Sequence, residues 1–176
     1  MLSVFDGLRG VTTLSVFVRL ACALICGGII GIERSYKRRP AGFRTHILIC
    51  IGAAITTLTS QYLYLNMHYF TDMARLGAQV VAGIGFIGAG TIIVTKRQRV
   101  KGLTTAAGLW TSAIIGLTFG GGFYEGGILA TVFIMLAELV FSRIEYRVLE
   151  NVPEINLYME YEGKHCLDDV LQLYRS

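Results

Sequence analysis

Residues 11–32 read VTTLSVFVRLACALICGGIIGI, a stretch in which Arg19 is the single charged residue. About 20 consecutive apolar residues are enough for a helix to cross the hydrocarbon core of a bilayer. Four further blocks of this kind follow, at 43–64, 74–95, 103–118 and 122–142, and the one at 103–118 is the shortest. The sequence therefore predicts an all-α membrane protein built as a bundle of about five transmembrane helices.

The composition agrees with this class. Apolar residues make up 53% of the chain and charged residues 16%, whereas a soluble domain carries about a quarter of charged residues. Backbone polar groups in a bilayer must pair within a helix or around a closed barrel, and the alternation typical of barrel strands is not seen. The sequence offers no recognisable nucleophile–base pair or cofactor motif, so we expect a protein that is not an enzyme.

The connections between the blocks differ in basic content. Those at 33–44 and 96–101 are dense in Lys and Arg, whereas 66–72 and 119–123 contain none. Because basic loops collect on the cytoplasmic side, we expect the N-terminus outside and the C-terminus inside. The basic loops are short and lie between spans, which favours contact with lipid head groups over binding of nucleic acid.

Polar side chains inside the spans are costly in hydrocarbon and need a partner or a purpose. Arg19 and Glu33 are two heptads apart, which places them within about 40° of the same face of the first helix. Gln79, Glu125 and Glu138 add polar groups to the third and fifth helices. Two interpretations are open: interhelical clamps or snorkelling ends, and a polar path or cavity between helices.

The third block contains GIGFIG at 83–88, a literal match to the dinucleotide fingerprint. The strand before it and the acidic residue about 20 positions later are missing, so we expect no nucleotide site. Glycines at this density permit close helix contact or a locally unwound segment. Gly27 and Gly31 form a GxxxG step in the first helix, which makes the first and third helices candidate neighbours.

Cysteines occur in the first two spans. Cys22 and Cys26 are one helical turn apart and could form part of a soft metal site with Cys50 or His46. The alternative is that they are small packing residues. No compact Cys/His set with the usual ligand spacing is visible, so no resident metal is expected.

Four ordered motifs carry a family resemblance: GIER at 31–34, RPAGFRT at 39–45, RLGAQVVAGIGFIGAG at 75–90 and KGLTTAAGLW at 101–110. Together they resemble the MgtC/SapB family of bacterial membrane proteins over about 14–144. The MgtC branch has Asn where this chain has Thr104 and Cys where it has Thr111. Both differences leave the fold prediction intact, but roles tied to those two side chains do not carry over.

The resemblance implies a multi-pass protein of the bacterial inner membrane, linked to magnesium limitation and to survival of pathogens inside host cells. For MgtC it further implies a regulatory effect on the F-type ATP synthase and on membrane potential. Transport of Mg²⁺ or another ion through a transporter or channel is the alternative. Matched to this sequence, the implied functional residues, which would hold the cytoplasmic loops and line the core around the third helix, are Glu33, Arg34, Arg39, Gly42, Arg44, Thr45, Arg75, Gln79, Gly83, Gly85, Gly88, Gly90, Lys101, Thr105 and Trp110.

The chain changes character after about residue 147, where the transmembrane domain (1–147) is expected to end. Residues 155–161 alternate like a strand, and residues 166–174 follow an amphipathic helical pattern. One strand and one helix cannot bury a core alone. Because relatives often carry a cytoplasmic ACT-like domain, residues 148–176 resemble its opening β-α unit, cut short, and such a domain favours a homodimer.

Overall fold

The computed structural model describes residues 3–69, 72–94 and 100–149. The predicted strand and helix of the tail lie outside these residues. The chain divides into two compact units, Met1–Val140 and Phe141–Ser176. The orientation of the termini stays a prediction.

The first unit consists almost entirely of helices. After a 3-10 helix at Ser3–Leu8, its elements are α1 (Thr13–Tyr36), α2 (Phe43–Leu65), α3 (Arg75–Gly90), β1 (Ile93–Val94), β2 (Val100–Lys101), α4 (Leu103–Gly120) and α5 (Tyr124–Leu136), which runs into a π-helical turn at Ala137–Phe141. In the second unit, α6 (Ser142–Leu149) carries exposed Arg143 and Arg147. The all-α prediction is confirmed.

Four helices of the described chain are long and apolar enough to cross a membrane: Thr13–Tyr36, Phe43–Leu65, Leu103–Gly120 and Tyr124–Ile144. The third predicted block differs, because α3 has 16 residues and ends at Gly90. At 1.5 Å per residue it is about 24 Å long, against a hydrocarbon core of about 30 Å. The β-branched residues after Gly90 favour extended backbone, and Ile93 pairs with Lys101 across an antiparallel ladder.

Local signals fix both ends of α1. The Thr12 hydroxyl caps the N-terminus by accepting a hydrogen bond from the Ser15 N–H at 3.2 Å. At the other end, Arg38 takes a left-handed conformation with φ 51°. The N–H groups of Arg39 and Arg38 donate to the carbonyls of Arg34 and Ser35, each at 3.0 Å. This is a Schellman motif, and Pro40 after it prevents the helix from continuing.

The glycines of α1 allow very close packing, but against α2. A Cβ at Gly27 would lie 2.9 Å from the Cβ of Cys50, and one at Gly31 would lie 2.7 Å from the Cα of Phe43. α1 packs mainly on α2 and also touches α4 and α5, whereas α3 packs on α4 and α2. The GxxxG step therefore packs as expected, but the prediction that helices one and three are neighbours is wrong, because the chain turns straight back from α1 into α2.

The core of the bundle lies between α1, α2, α4 and α5. Its largest members are Ile30, Ile115, Phe119 and Tyr124, and it also contains Cys50. Cys22, Cys26 and Cys50 are free thiols, and among the described residues no three His, Cys, Asp or Glu side chains are placed to hold a metal ion. Cys26 and Cys50 belong to this core, and the partly buried Cys22 packs against it.

Candidate functional site

Four charged side chains meet near the C-terminal end of α1, and we call them the four-charge cluster: Glu33, Arg34, Lys37 and Glu138. Glu33 and Arg34 are 7% and 1% exposed. Glu33 Oε2 lies 2.6 Å from Arg34 Nε, and Glu33 Oε1 lies 2.7 Å from Lys37 Nζ. Arg34 Nη2 reaches Glu138 Oε2, and Lys37 Nζ donates to the Glu138 carbonyl at 2.8 Å. Two acids and two bases give the cluster a formal charge of zero.

The local structure explains how these four residues meet. Glu33 and Lys37 are at i and i+4 on α1, a spacing that brings acid and base side chains together. Arg34 is one residue after Glu33, about 100° around the helix. Its side chain pairs with Glu138, which belongs to the π-helical turn after α5. π-helical turns are rare and are frequent at functional sites. The π-helical turn thus supplies a second carboxylate to Arg34.

His46 is buried in the first turns of α2, with no exposed surface. Its Nδ1 lies 2.9 Å from the Gly42 carbonyl oxygen, which accepts a hydrogen bond from it. Among the described residues, neither His46 Nε2 nor Arg34 Nη1 has a hydrogen-bond partner. Nε2 faces α4 at Gly108, where a Cβ would lie 3.6 Å away. The sequence pointed to His46 only as a soft-metal ligand, and burial of its unpaired nitrogen emerges only from the packing.

Arg19 is fully buried near the N-terminal end of α1. Nη1 donates to Gln61 Oε1 and to the Gly120 carbonyl, both at 2.7 Å. Nη2 donates to the Arg9 carbonyl at 2.6 Å and more weakly to those of Leu8 and Gly10. No carboxylate is among these partners. The carbonyl at the C-terminal end of α4 carries a partial negative charge that suits a cation, so Arg19 clamps the N-terminal segment, α2 and α4 together.

A second set of contacts ties the N-terminal segment to α5. Arg9 pairs with Glu125 at 2.6 Å and donates to the Gly122 carbonyl at 3.0 Å. The Tyr124 hydroxyl donates to the Leu8 carbonyl at 3.1 Å, and its ring stacks on Phe5 with centroids 4.9 Å apart. The pairing of Arg9 with Glu125 could not be predicted from the sequence, because the two residues are 116 positions apart in the chain.

The implied residues of α3 lie mostly on its outside. Arg75 and Gln79 are exposed. A Cβ at Gly83, Gly85 or Gly90 would meet no heavy atom within 4 Å, whereas at Gly88 it would meet the Cβ of Ala106 at 3.4 Å. The interpretation that these glycines line the core therefore holds for Gly88 and is wrong for the other three, because α3 turns only its Ile84–Gly88 side towards α4 and α2.

The remaining implied residues fall into three places. Glu33, Arg34 and Thr105 are buried, and the α1–α2 connection brings together Arg39, Gly42, Arg44 and Thr45. Lys101 in β2 is exposed, and Trp110 is 45% exposed on α4. Arg19 lies near the opposite end of α1 from Glu33, so the two polar groups of that helix belong to separate networks.

A groove between the N-terminal end of α1 and the second half of α2 has a volume of about 300 Å³. Its walls are almost entirely apolar, and they are formed by Val11, Val16, Ile55, Leu58, Thr59 and Tyr62. Such walls suit hydrocarbon and offer nothing to replace the hydration shell of an ion.

Comparison with known proteins agrees with the motifs. The model of the MgtC family matches residues 20–147. The protein named "Putative magnesium transporter YhiD" of Escherichia coli K12 is 42% identical over 149 residues, covering 82% of this chain and 69% of the relative. An uncharacterized protein of Haemophilus influenzae is 40% identical over 129 residues, covering 70% and 54% of the two chains.

Protein MgtC of Salmonella typhimurium LT2 is 37% identical over 131 residues, which cover 74% of this chain and 54% of MgtC. The match thus spans about half the length of MgtC. No solved structure matches the chain. The family model covers well over half of the sequence and two named relatives exceed 35% identity, so this chain belongs to the MgtC family.

Proposed function

We propose that this chain is a regulatory protein of the bacterial inner membrane that acts by binding another membrane protein. The supporting observation is a contrast within the bundle. The ionised groups of α1 end in internal contacts, to one another or to backbone carbonyls. α3, in contrast, keeps most of its surface exposed, with only Ile84 and Gly88 buried.

The exposed face of α3 has the chemistry of a helix-binding surface. Gln79, Gly83, Phe86 and Gly90 recur at spacings of three and four residues, so they follow one stripe along the helix. Phe86 is 86% exposed. An amide facing hydrocarbon gains from a hydrogen bond across a helix pair, and glycines let a second helix approach closely. We define these four residues as the α3 stripe.

In the cell we expect this binding to adjust membrane energetics when magnesium is scarce. Two relatives are named MgtC and "Putative magnesium transporter YhiD", and the family resemblance points to the F-type ATP synthase as the partner and to intracellular survival as the setting. The α3 stripe could alternatively bind a second copy of this chain, which would form a homodimer.

The test is photo-cross-linking in intact cells. A photoreactive amino acid replaces Phe86 on the stripe, and a control replaces Phe133, which is 67% exposed on α5. We expect position 86 to cross-link to a specific membrane protein, identified by mass spectrometry, and position 133 to label lipid only. A Gly83→Leu change should remove the cross-link because it fills the space that a partner helix needs. Identical labelling from both positions would count against the proposal.

An ion transporter is the second candidate, favoured by the buried carboxylate of Glu33 and by the name of the YhiD relative. Both Glu33 oxygens already face cations, Arg34 and Lys37, and Gln79 lies on the exposed side of α3. We therefore expect purified protein in liposomes to carry neither Mg²⁺ nor protons. Flux that Glu33→Gln abolishes, with folding verified in the same vesicles, would replace the regulatory proposal with transport.

A further inference from the structure

The connection between α1 and α2 is strongly basic. Residues 36–50 contain four Lys or Arg residues and no Asp or Glu. Lys37 turns inward to Glu33, whereas the other three cations are exposed. We call these three, Arg38, Arg39 and Arg44, the basic corner. In the part of the chain that the structure describes, none of the three forms an ion pair with a carboxylate.

Backbone contacts hold the basic corner in place. The N–H of Phe43 donates to Ser35 Oγ at 2.8 Å, which closes the connection into a short loop. Gly31 and Phe43 bring the backbones of α1 and α2 into contact below it. Because the loop is closed at its base, Arg38 and Arg39 on the loop and Arg44 at the start of α2 are held at one end of the α1–α2 pair.

Arg38 adopts a backbone conformation that is unfavourable for any residue with a side chain. With φ 51° it is the left-handed residue of the Schellman motif that ends α1. Glycine is the usual residue there because a Cβ clashes with the backbone in this conformation. A non-glycine residue at such a position points to a use for its side chain, and here the side chain adds a third exposed cation.

Two exposed aromatic side chains adjoin the basic corner in the sequence. Tyr36, the last residue of α1, is 88% exposed, and Phe43, the first of α2, is 43% exposed. Exposed aromatic rings at the ends of spans are typical of the boundary between hydrocarbon and head groups. Arg38 and Arg39 follow Tyr36 in the chain and Arg44 follows Phe43, so the basic corner is expected at the level of the head groups.

We propose that the basic corner binds the phosphate groups of anionic lipids in the leaflet that it faces. The guanidinium group offers paired N–H donors that match phosphate oxygens, and no acidic side chain of the connection competes for them. A membrane-embedded protein meets this ligand at high local concentration. The inference does not depend on which protein the α3 stripe binds.

Native mass spectrometry of the detergent-solubilised full chain tests it, with phosphatidylglycerol and phosphatidylcholine as the lipids. Arg38→Gly is the central variant because glycine suits the backbone there, so folding is retained while one cation is lost. We expect it to weaken phosphatidylglycerol binding about five-fold, and the double change Arg39→Gln with Arg44→Gln to weaken it about 25-fold. Arg75→Gln, which removes an exposed charge at the first residue of α3, should leave binding unchanged.

Three results would overturn the proposal. The first is wild-type phosphatidylglycerol binding by Arg38→Gly and by the double variant. The second is an equal loss on Arg75→Gln, which would mean that overall charge, not this corner, attracts the lipid. The third is displacement of the lipid by millimolar inorganic phosphate, which would make the corner a site for a soluble anion. A selective loss in the corner variants, for the anionic lipid alone, supports lipid binding.

Discussion

The two ends of α1 bury charge in opposite ways. Near the N-terminal end, Arg19 is surrounded by neutral oxygens, four of them backbone carbonyls. Near the C-terminal end, Arg34 lies between two carboxylates in a cluster whose charges cancel. Removing Arg19 leaves only neutral oxygens without their donor. Removing Arg34 leaves two ionised carboxylates in the four-charge cluster. The cost of losing each arginine should therefore differ, although both are buried equally well.

The largest effect is expected from Arg34→Met. It leaves the buried Glu33 and the partly buried Glu138 with Lys37 as the one remaining cation of the cluster. Breaking a buried ion pair by removing one partner costs about 3–5 kcal/mol. We expect a loss of this size in the free energy of unfolding, measured by denaturant titration in detergent micelles.

A compensating variant separates charge from packing. Arg34→Met combined with Glu138→Gln restores a balanced cluster of one acid and one base, so it should recover at least half of the lost stability. If the double variant is no more stable than Arg34→Met, the shape of the arginine side chain matters more than the balance of charge, and the contrast between the two ends of α1 loses its basis.

Arg19→Met should cost less, about 2–3 kcal/mol, because it strands carbonyl oxygens and the Gln61 amide but no ionised partner. The same denaturant titration measures it. Arg19→Lys should fall between the wild type and Arg19→Met, since an ammonium group has three donors for five acceptors. A loss on Arg19→Met that exceeds that of Arg34→Met would reverse the proposed order of the two ends.

The contrast also shows what the sequence could predict. Apolar block length predicted the helical class, and four of five spans match candidate spans within a few residues. Polar residues inside the spans pointed to Arg19 and Glu33. Their partners could not be predicted, because Gly120 at the end of α4 and Glu138 in the π-helical turn are far away in the sequence, and only tertiary packing brings them to α1. The same limit explains α3, whose glycine pattern predicts close contact without saying which molecule supplies it.

Gly122 lies next to the Arg19 guanidinium. A substitution there therefore tests whether the packing around this group matters as well as its hydrogen bonds. Its φ is 76°, and a Cβ there would lie 2.8 Å from Arg19 Nη2. Gly121 beside it has φ −72°, and its nearest contact would be 3.4 Å away, at the Leu117 carbonyl. We expect Gly122→Ala to lower the free energy of unfolding by about 1–2 kcal/mol, through backbone strain and displacement of the guanidinium.

Gly121→Ala is the matched control, and it should change stability by less than about 0.5 kcal/mol, because its backbone is ordinary for alanine and its neighbours need to give only slightly. If both variants lose the same free energy of unfolding, the α4–α5 turn has no room for a side chain at either position, and Arg19 is not the reason. A loss confined to Gly122→Ala, and smaller when it is combined with Arg19→Met, would show that part of the space at the left-handed turn is kept open for Arg19, with backbone strain accounting for the rest. The neutral dipoles that hold this cation then depend on one glycine for their geometry, whereas the four-charge cluster depends on its balance of charge.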